Sequence, residues 1–304
     1  MQRILVTGAS GFVGRHCLPL LVQRGFEVHA VTRKSPLVIP NIQWHFADLN
    51  HSAATTELLR EIQPTHLLHL AWYTEAGAFA ASPVNRGWHA LSTALFRDFE
   101  RVGGKRIVAT GSCFEYGSSD AACDELRTPC RPTSIYGQAK LATASCLEEL
   151  GSTTRLSTAW ARLFYLYGPY ASDRRMPGVV ISSLIRNQAA SCSDGNQWRD
   201  FLHIEDAASA VVSLVDSDIT GAINVCSGSP VRIRDMAMSV ARLLGCPDLL
   251  HLGAIPTRPD EPELIVGSAL RLINELRWRP QYLLEAGLRQ TIEFYKLQQL
   301  ARAA

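Results

Sequence analysis

Thr7-Gly8-Ala9-Ser10-Gly11-Phe12-Val13-Gly14, directly after the apolar run Ile4–Val6, decides the fold. Its glycines recur every third position between a strand-like segment and a helical stretch, Gly11–Arg24, in which Phe12, Val13, Leu18, Leu20 and Leu21 make an apolar face. That spacing suits a tight turn, close backbone approach to a pyrophosphate, and amide donors at a helix start. A glycine triplet also occurs in ordinary strand–helix turns. Its position on the first strand favours a dinucleotide site.

Downstream, strand-like runs at 28–31, 44–47, within 64–71 and at 106–109 alternate with helical stretches at 53–62 and 85–102. The alternation predicts an α/β fold, a doubly wound parallel sheet that collects ligands at the carboxyl ends of its strands. Beyond residue 160, aromatics, prolines and glycines thicken, and helices around 179–189, 204–214, 233–244 and 284–298 follow with fewer strands. A smaller carboxyl-terminal lobe is expected. Residues 1–162 plus about 199–218 then form the dinucleotide domain, and 163–198 with 219–304 the lobe.

With 304 residues and 47% apolar content the chain can bury a large core. A net charge of +2, without long like-charge blocks, argues against nucleic-acid or membrane-surface partners. No apolar run approaches the roughly 20 residues of a membrane span. Met1–Thr7 enters a strand with no leader ahead of it, and the eight cysteines form no CxxC pair. Reduced thiols, a cytoplasmic location and no metal are expected.

The second strand ends Val31-Thr32-Arg33-Lys34. An acid there would hold the ribose 2′-hydroxyl of NAD, whereas two cations suit a 2′-phosphate, with Arg15 as a third. NADPH is therefore expected and NAD remains possible; a solvated turn is the competing account of the two cations. Asp48 could accept from the adenine amino group or close an Asx-turn.

Ser134-Ile135-Tyr136-Gly137-Gln138-Ala139-Lys140 opens a helix reaching about Leu150, placing Tyr136 and Lys140 on one face. A phenol titrates near about pH 10, and a neighbouring ammonium lowers that value toward useful acid–base chemistry. A hydroxyl from an adjacent strand end would complete the set. Thr110-Gly111-Ser112-Cys113-Phe114-Glu115-Tyr116-Gly117 follows such a strand.

With TGASGFVG, HLAW at 69–72, TGSCFEYG, YGQAK at 136–140, ARLFYLYGP at 161–169, RDFLHIED at 199–206 and INVCSGSPVRI at 223–233, the chain resembles the extended short-chain dehydrogenase/reductases that act on nucleotide sugars, the NAD-dependent epimerase/dehydratase group. It is most similar to 4-keto-6-deoxyhexose reductases and abequose synthase-like enzymes of surface-polysaccharide synthesis. The resemblance implies a Rossmann domain, a sugar-nucleotide lobe and a homodimer built on the helices at 85–102 and 134–150. It implies Ser112, Tyr136 and Lys140 as catalytic. Around the cofactor it places Gly8, Gly11, Phe12, Val13, Gly14, Arg15, Thr32, Arg33, Asp48, Leu49, Leu70, Ala71, Tyr136, Lys140 and Phe164. Ser112, Tyr165, Arg199, Arg258 and Glu261 would meet the substrate, with both arginines on its diphosphate. Tyr165 stands where relatives often carry asparagine.

Dehydratases of this group carry an acid/base carboxylate pair just before the tyrosine matching Tyr116, where this chain has Cys113 and Phe114. Decarboxylases carry a glutamate at the place of Phe114. The cysteine–histidine couple of 3,5-epimerising relatives is replaced by Phe114 and Tyr170. Glu115, one place off, is expected to turn toward a backbone amide or an arginine. Cys113 is expected to be a packed thiol. Plain hydride chemistry remains: reduction of a C4 ketone with NADPH, or 4-epimerisation with tightly held NAD. NADPH-binding regulators of this fold commonly lack the Tyr/Lys pair, which is present here.

Overall fold

The computed structural model describes residues 2–259 and 261–303. Seven parallel strands form the main sheet: β1 (Arg3–Thr7), β2 (Glu27–Thr32), β3 (Ile42–Phe46), β4 (His66–His69), β5 (Arg106–Ser112), β6 (Ser157–Leu163) and, after three strands of the second lobe, β10 (Gly221–Val225). Their order, β10-β6-β5-β4-β1-β2-β3, reverses direction between β1 and β4, so the switch point of the doubly wound sheet lies at the ends of those two strands.

Both faces are covered, which is why the strands are apolar at successive positions and not only at alternate ones. Ile4 and Val6 face α1 (Gly14–Gln23) and α6 (Ile204–Val215), while Leu5 faces α2 (Ser52–Ile62), α3 (Val84–Arg101) and α4 (Ile135–Thr153). The helix after the glycine loop starts at Gly14, three residues later than the periodicity suggests, because Gly11–Val13 is spent on the turn.

The second lobe contains β7 (Tyr165–Tyr167), α5 (Gly178–Ile185), β8 (Ala190–Ser191), β9 (Trp198–His203), β11 (Pro230–Arg232), α7 (Ile233–Leu244), β12 (Leu250–His251), β13 (Leu264–Ile265), the short α8 (Leu270–Asn274) and α9 (Leu284–Ala303). Its own core gathers Tyr167, Val180, Ile181, Phe201, Met236, Val240, Leu288 and Ile292. One boundary needs correction. β10 was expected in the lobe, yet it pairs with β6 from Gly221↔Ala159 to Val225↔Leu163. Ile223 and Val225, fully buried, join the main-sheet core with α6 and with Leu272 of α8.

Among the described residues no helix is long and apolar enough to cross a membrane. All eight cysteines are free thiols.

Candidate active site

The glycine loop closes over the switch point. Gly8 has φ 68°, and a Cβ there would stand 2.7 Å from the Ala71 amide nitrogen. A Cβ on Gly14 would stand 2.3 Å from the Gly8 carbonyl oxygen. Larger residues would push the loop off β4 and off α1. The Arg15 and His16 amides bond the Gly11 and Val13 carbonyls at 3.1 Å, and Val13 caps α1 with no side-chain hydrogen bond, so the positive end of the helix is left facing the loop. This cradle fits the pyrophosphate of a dinucleotide. Leu70 and Ala71, half-buried just beyond β4, stand against the loop. Below it the buried His69 ring joins Thr7 Oγ1 at 2.7 Å to Ser92 Oγ at 2.9 Å, and burial with the nearby Lys140 charge pulls its pKa down to about 3.

At the end of β2, Thr32 Oγ1 accepts from the Lys34 amide at 3.1 Å, and Arg33 Nη1 lies 3.7 Å from Asp48 Oδ2 with 61% of its side chain exposed. Asp48 Oδ1 takes the Asn50 amide at 3.0 Å and its side-chain nitrogen at 2.8 Å. Of the two expectations for Asp48, the Asx-turn is the one seen, and the Asn50 amide holds its carboxyl below the usual range. Arg15 does not extend the cation pair: its guanidinium stacks 3.8 Å from the Tyr170 ring centroid. Leu49 is buried beside Val31 and Leu58. Phe164 also departs from expectation. It is 5% exposed and packed with Cys113, Tyr116 and Cys226, because Gly267 lets its ring sink into the junction of the lobes.

The three side chains expected to be catalytic come together where the start of α4 seats on the end of β5. Ser134 caps α4 by accepting from the Gly137 amide at 3.0 Å. A Cβ on Gly137 would stand 2.4 Å from the Phe114 carbonyl, so only glycine seats the first turn of α4 on the 3-10 turn Cys113–Glu115 that follows β5. Tyr136 on α4 thereby meets Ser112, whose hydroxyl favours the ionised phenol. Lys140, one turn on, donates from Nζ to the Thr110 carbonyl at 2.7 Å and lies 3.7 Å from the Trp72 ring centroid. Burial pulls Lys140 down to about 7, against the Glu115 charge, which holds it up. Tyr136 was expected to be lowered by Lys140. Among protein groups burial prevails and raises the phenol, with Ser112 and the Arg175 charge working downward.

Around the phenol stand three further rings and an arginine. Phe79, Phe114 and Trp72 meet the Tyr136 ring edge-on at 4.9, 5.8 and 6.4 Å. Arg175, from the second lobe, donates to the Thr74 carbonyl and sits 5.1 Å over the Phe79 ring. HLAW already placed an aromatic at a strand end; Phe79 and Arg175 carry no sequence signal of their own.

Glu115 turns inward, fully buried, and takes both expected partners. Its Oε1 accepts from the Ser112 amide at 2.7 Å, and its Oε2 pairs with Arg162 Nε at 2.8 Å. The Trp160 indole donates to both oxygens at 3.0 Å. Arg162 in turn donates to the Tyr116 hydroxyl at 2.9 Å, which donates to Asn224 at 2.8 Å. Cys113 is 2% exposed, and burial pushes its thiol well up, away from thiolate chemistry.

Of the residues expected at the substrate, three are brought together. Arg199, 1% exposed, pairs with Glu261 at 2.8 Å and lies 5.5 Å from the Tyr165 ring centroid. Its Nη1 is held by the Trp198 carbonyl at 2.8 Å. Arg258 shares the turn of Glu261, whose amide bonds its carbonyl at 3.2 Å, but its side chain is exposed.

Comparison with known proteins agrees with this geometry. The NAD dependent epimerase/dehydratase family matches residues 4–226. A probable dTDP-glucose 4,6-dehydratase of Sinorhizobium fredii is 27% identical, over 97% of this chain and 93% of its own. A dTDP-L-rhamnose 4-epimerase of Burkholderia thailandensis is 27% identical, over 94% of this chain and 93% of its own. Among solved structures, the UDP-glucose 4-epimerase of Thermus thermophilus in complex with NAD superposes with a TM-score of 0.83 at 25% identity, covering 97% of this chain and 99% of that one. With the glycine cradle at the switch point and Tyr136, Lys140 and Ser112 assembled beside it, the chain belongs to the NAD dependent epimerase/dehydratase family, the extended short-chain dehydrogenase/reductases.

Proposed function

We propose that the protein reduces the C4 ketone of a nucleoside-diphosphate 4-keto-6-deoxyhexose with NADPH, in deoxysugar synthesis for surface polysaccharide. The observation that carries this reading is the commitment of Glu115 to Ser112, Trp160 and Arg162, with the Phe114 ring beside Tyr136. Loss of water needs a further acid and base at the sugar. Glu115 is spent on structure, and Cys113 is a neutral buried thiol.

The Gly8–Gly14 cradle would hold NADPH, which would supply the hydride for C4. Tyr136 gives its phenolic proton to the C4 oxygen, Ser112 donates a hydrogen bond to the same oxygen, and Lys140 steadies the charge left on the phenol. The aromatic rings of Trp72, Phe79 and Phe114 exclude water from that transfer. Arg199, already oriented by Glu261 and Trp198, would meet the substrate diphosphate, joined by the exposed Arg258. The exposed Arg33, with Lys34, favours a 2′-phosphate. The reading includes a cytoplasmic homodimer built on α3 and α4.

A panel of 4-keto-6-deoxy sugar nucleotides tests it, followed by loss of reduced-nicotinamide absorbance. NADPH should be consumed faster than NADH, and Tyr136→Phe should abolish turnover while NADPH still binds. Activity retained in that variant refutes the mechanism. A second reading, 4-epimerisation with NAD, draws on the relatives that are 4-epimerases and on the NAD complex of the Thermus enzyme. It predicts NAD carried through purification and interconversion of C4 epimers without net consumption of cofactor.

A further inference from the structure

A carboxylate with no exposed surface, three residues beyond Ser112, accepts from three donors: the Ser112 amide, the Trp160 indole N–H shared between both oxygens, and Arg162. Room for it is made by Gly111, where a Cβ would fall 2.4 Å from Glu115 Oε1 and 2.1 Å from Trp160 Nε1. The same indole ring is 5.7 Å from Lys140 Nζ, so the carboxylate and the ammonium share Trp160 as a wall. Thr110 and Ser112, the strand residues on either side of Gly111, hold Lys140 through a carbonyl and Glu115 through an amide.

We infer that Glu115 is a positioning residue of the hydride-transfer site: it fixes the main chain that presents Ser112 and provides the buried counter-charge of Lys140. A carboxylate needed only for packing could be replaced by an apolar group at little cost. Here its charge offsets the desolvation of an ammonium that otherwise sees the Trp72 face and one carbonyl. The titratable groups facing Lys140 are Glu115 from the 3-10 turn, Tyr136 from its own helix and His69 from β4, with Arg162 on the far side of Glu115 and Cys113 beside Ser112. His69 is neutral and Cys113 is a thiol near pH 7, leaving Glu115 as the anion. The inference rests on the reading of Ser112, Tyr136 and Lys140 as the reacting set.

The chain holds only four lysines, Lys34, Lys105, Lys140 and Lys296, so carbon-13 NMR of lysine labelled at Cε resolves Lys140 directly, with Lys140→Ala for assignment. The wild type should show one lysine titrating near 7. In Glu115→Gln its midpoint should fall by about half a pH unit or more. Glu115→Gln leaves Arg162 buried and unpaired, so Glu115→Gln/Arg162→Met serves as the second variant, removing both charges at similar volume. Its Lys140 midpoint should fall as well. A midpoint unmoved in both folded variants, with only melting temperature lowered, overturns the inference. With turnover, the basic limb of kcat/KM should move to lower pH in step with the NMR midpoint, since loss of Glu115 eases deprotonation of Lys140 and of Tyr136 alike. If no sugar nucleotide is turned over, the proposed reaction fails while the lysine titration still decides this point.

Discussion

Gly111→Ala probes the buried charge cluster through one methyl group. Gly111 lies in the middle of the site end of β5 and its φ is not positive, so alanine meets no backbone penalty; the whole effect is collision. The new Cβ would lie 2.1 Å from Trp160 Nε1 and 2.4 Å from Glu115 Oε1, more than 1 Å inside ordinary contact, about 3.5 Å. Neither neighbour can retreat, with Trp160 4% and Glu115 0% exposed. Overpacking costs about 1–3 kcal/mol. Parting the indole from the carboxylate costs a hydrogen bond to a charged group, about 1.5–3 kcal/mol more. The sum, roughly 2.5–6 kcal/mol, corresponds to a fall in melting temperature of roughly 4–9 °C for a chain of this size. Differential scanning calorimetry reads it. Gly87→Ala is the control: on α3, with nothing within 4 Å of its added methyl, it should stabilise by about 0.5–1 kcal/mol. A Gly111→Ala protein melting within about 1 °C of wild type would refute the account of how Glu115 and Trp160 are packed.

Cys113→Ala should leave kcat within about threefold of wild type; a hundredfold loss, about 2.7 kcal/mol, would restore the thiol as a reactant. His69 makes the fold acid-labile. Its folded pKa, about 3, lies below the unfolded value of 6.5, so the unfolded chain binds the proton more readily, and stability is lost as pH falls from 6.5 toward 3. At pH 4.5 the loss from this group is about 2–3 kcal/mol, and chemical denaturation of His69→Gln should show a flatter dependence of stability on pH across that window. An unchanged slope would remove His69 as the cause.

Much of the fold was legible because it follows from local rules. The helix at 233–244 was readable at both ends: apolar residues recur at helical spacing, and Gly245 ends it with φ 73°. The glycine loop, the Tyr136–Lys140 pitch and the inward turn of Glu115 followed from spacing and from the lack of any other use for a carboxylate there. β10 was not legible, since its five residues look alike whether they edge the main sheet or the lobe, and only the pairing with β6 distinguishes them. Phe164 has the composition of a cofactor wall and became core because Gly267 left it space.

The sequence by itself determined which groups exist and which share a strand end or a helix face, because glycine spacing and helical pitch are properties of adjacent residues. Tertiary structure decided what those groups are. Lys140 near neutrality, Tyr136 held protonated, Cys113 inert and Glu115 a counter-charge all depend on desolvation and on Trp72, Phe79, Trp160 and Arg162 arriving from distant segments. Protonation follows burial, and burial is a property of the packed whole.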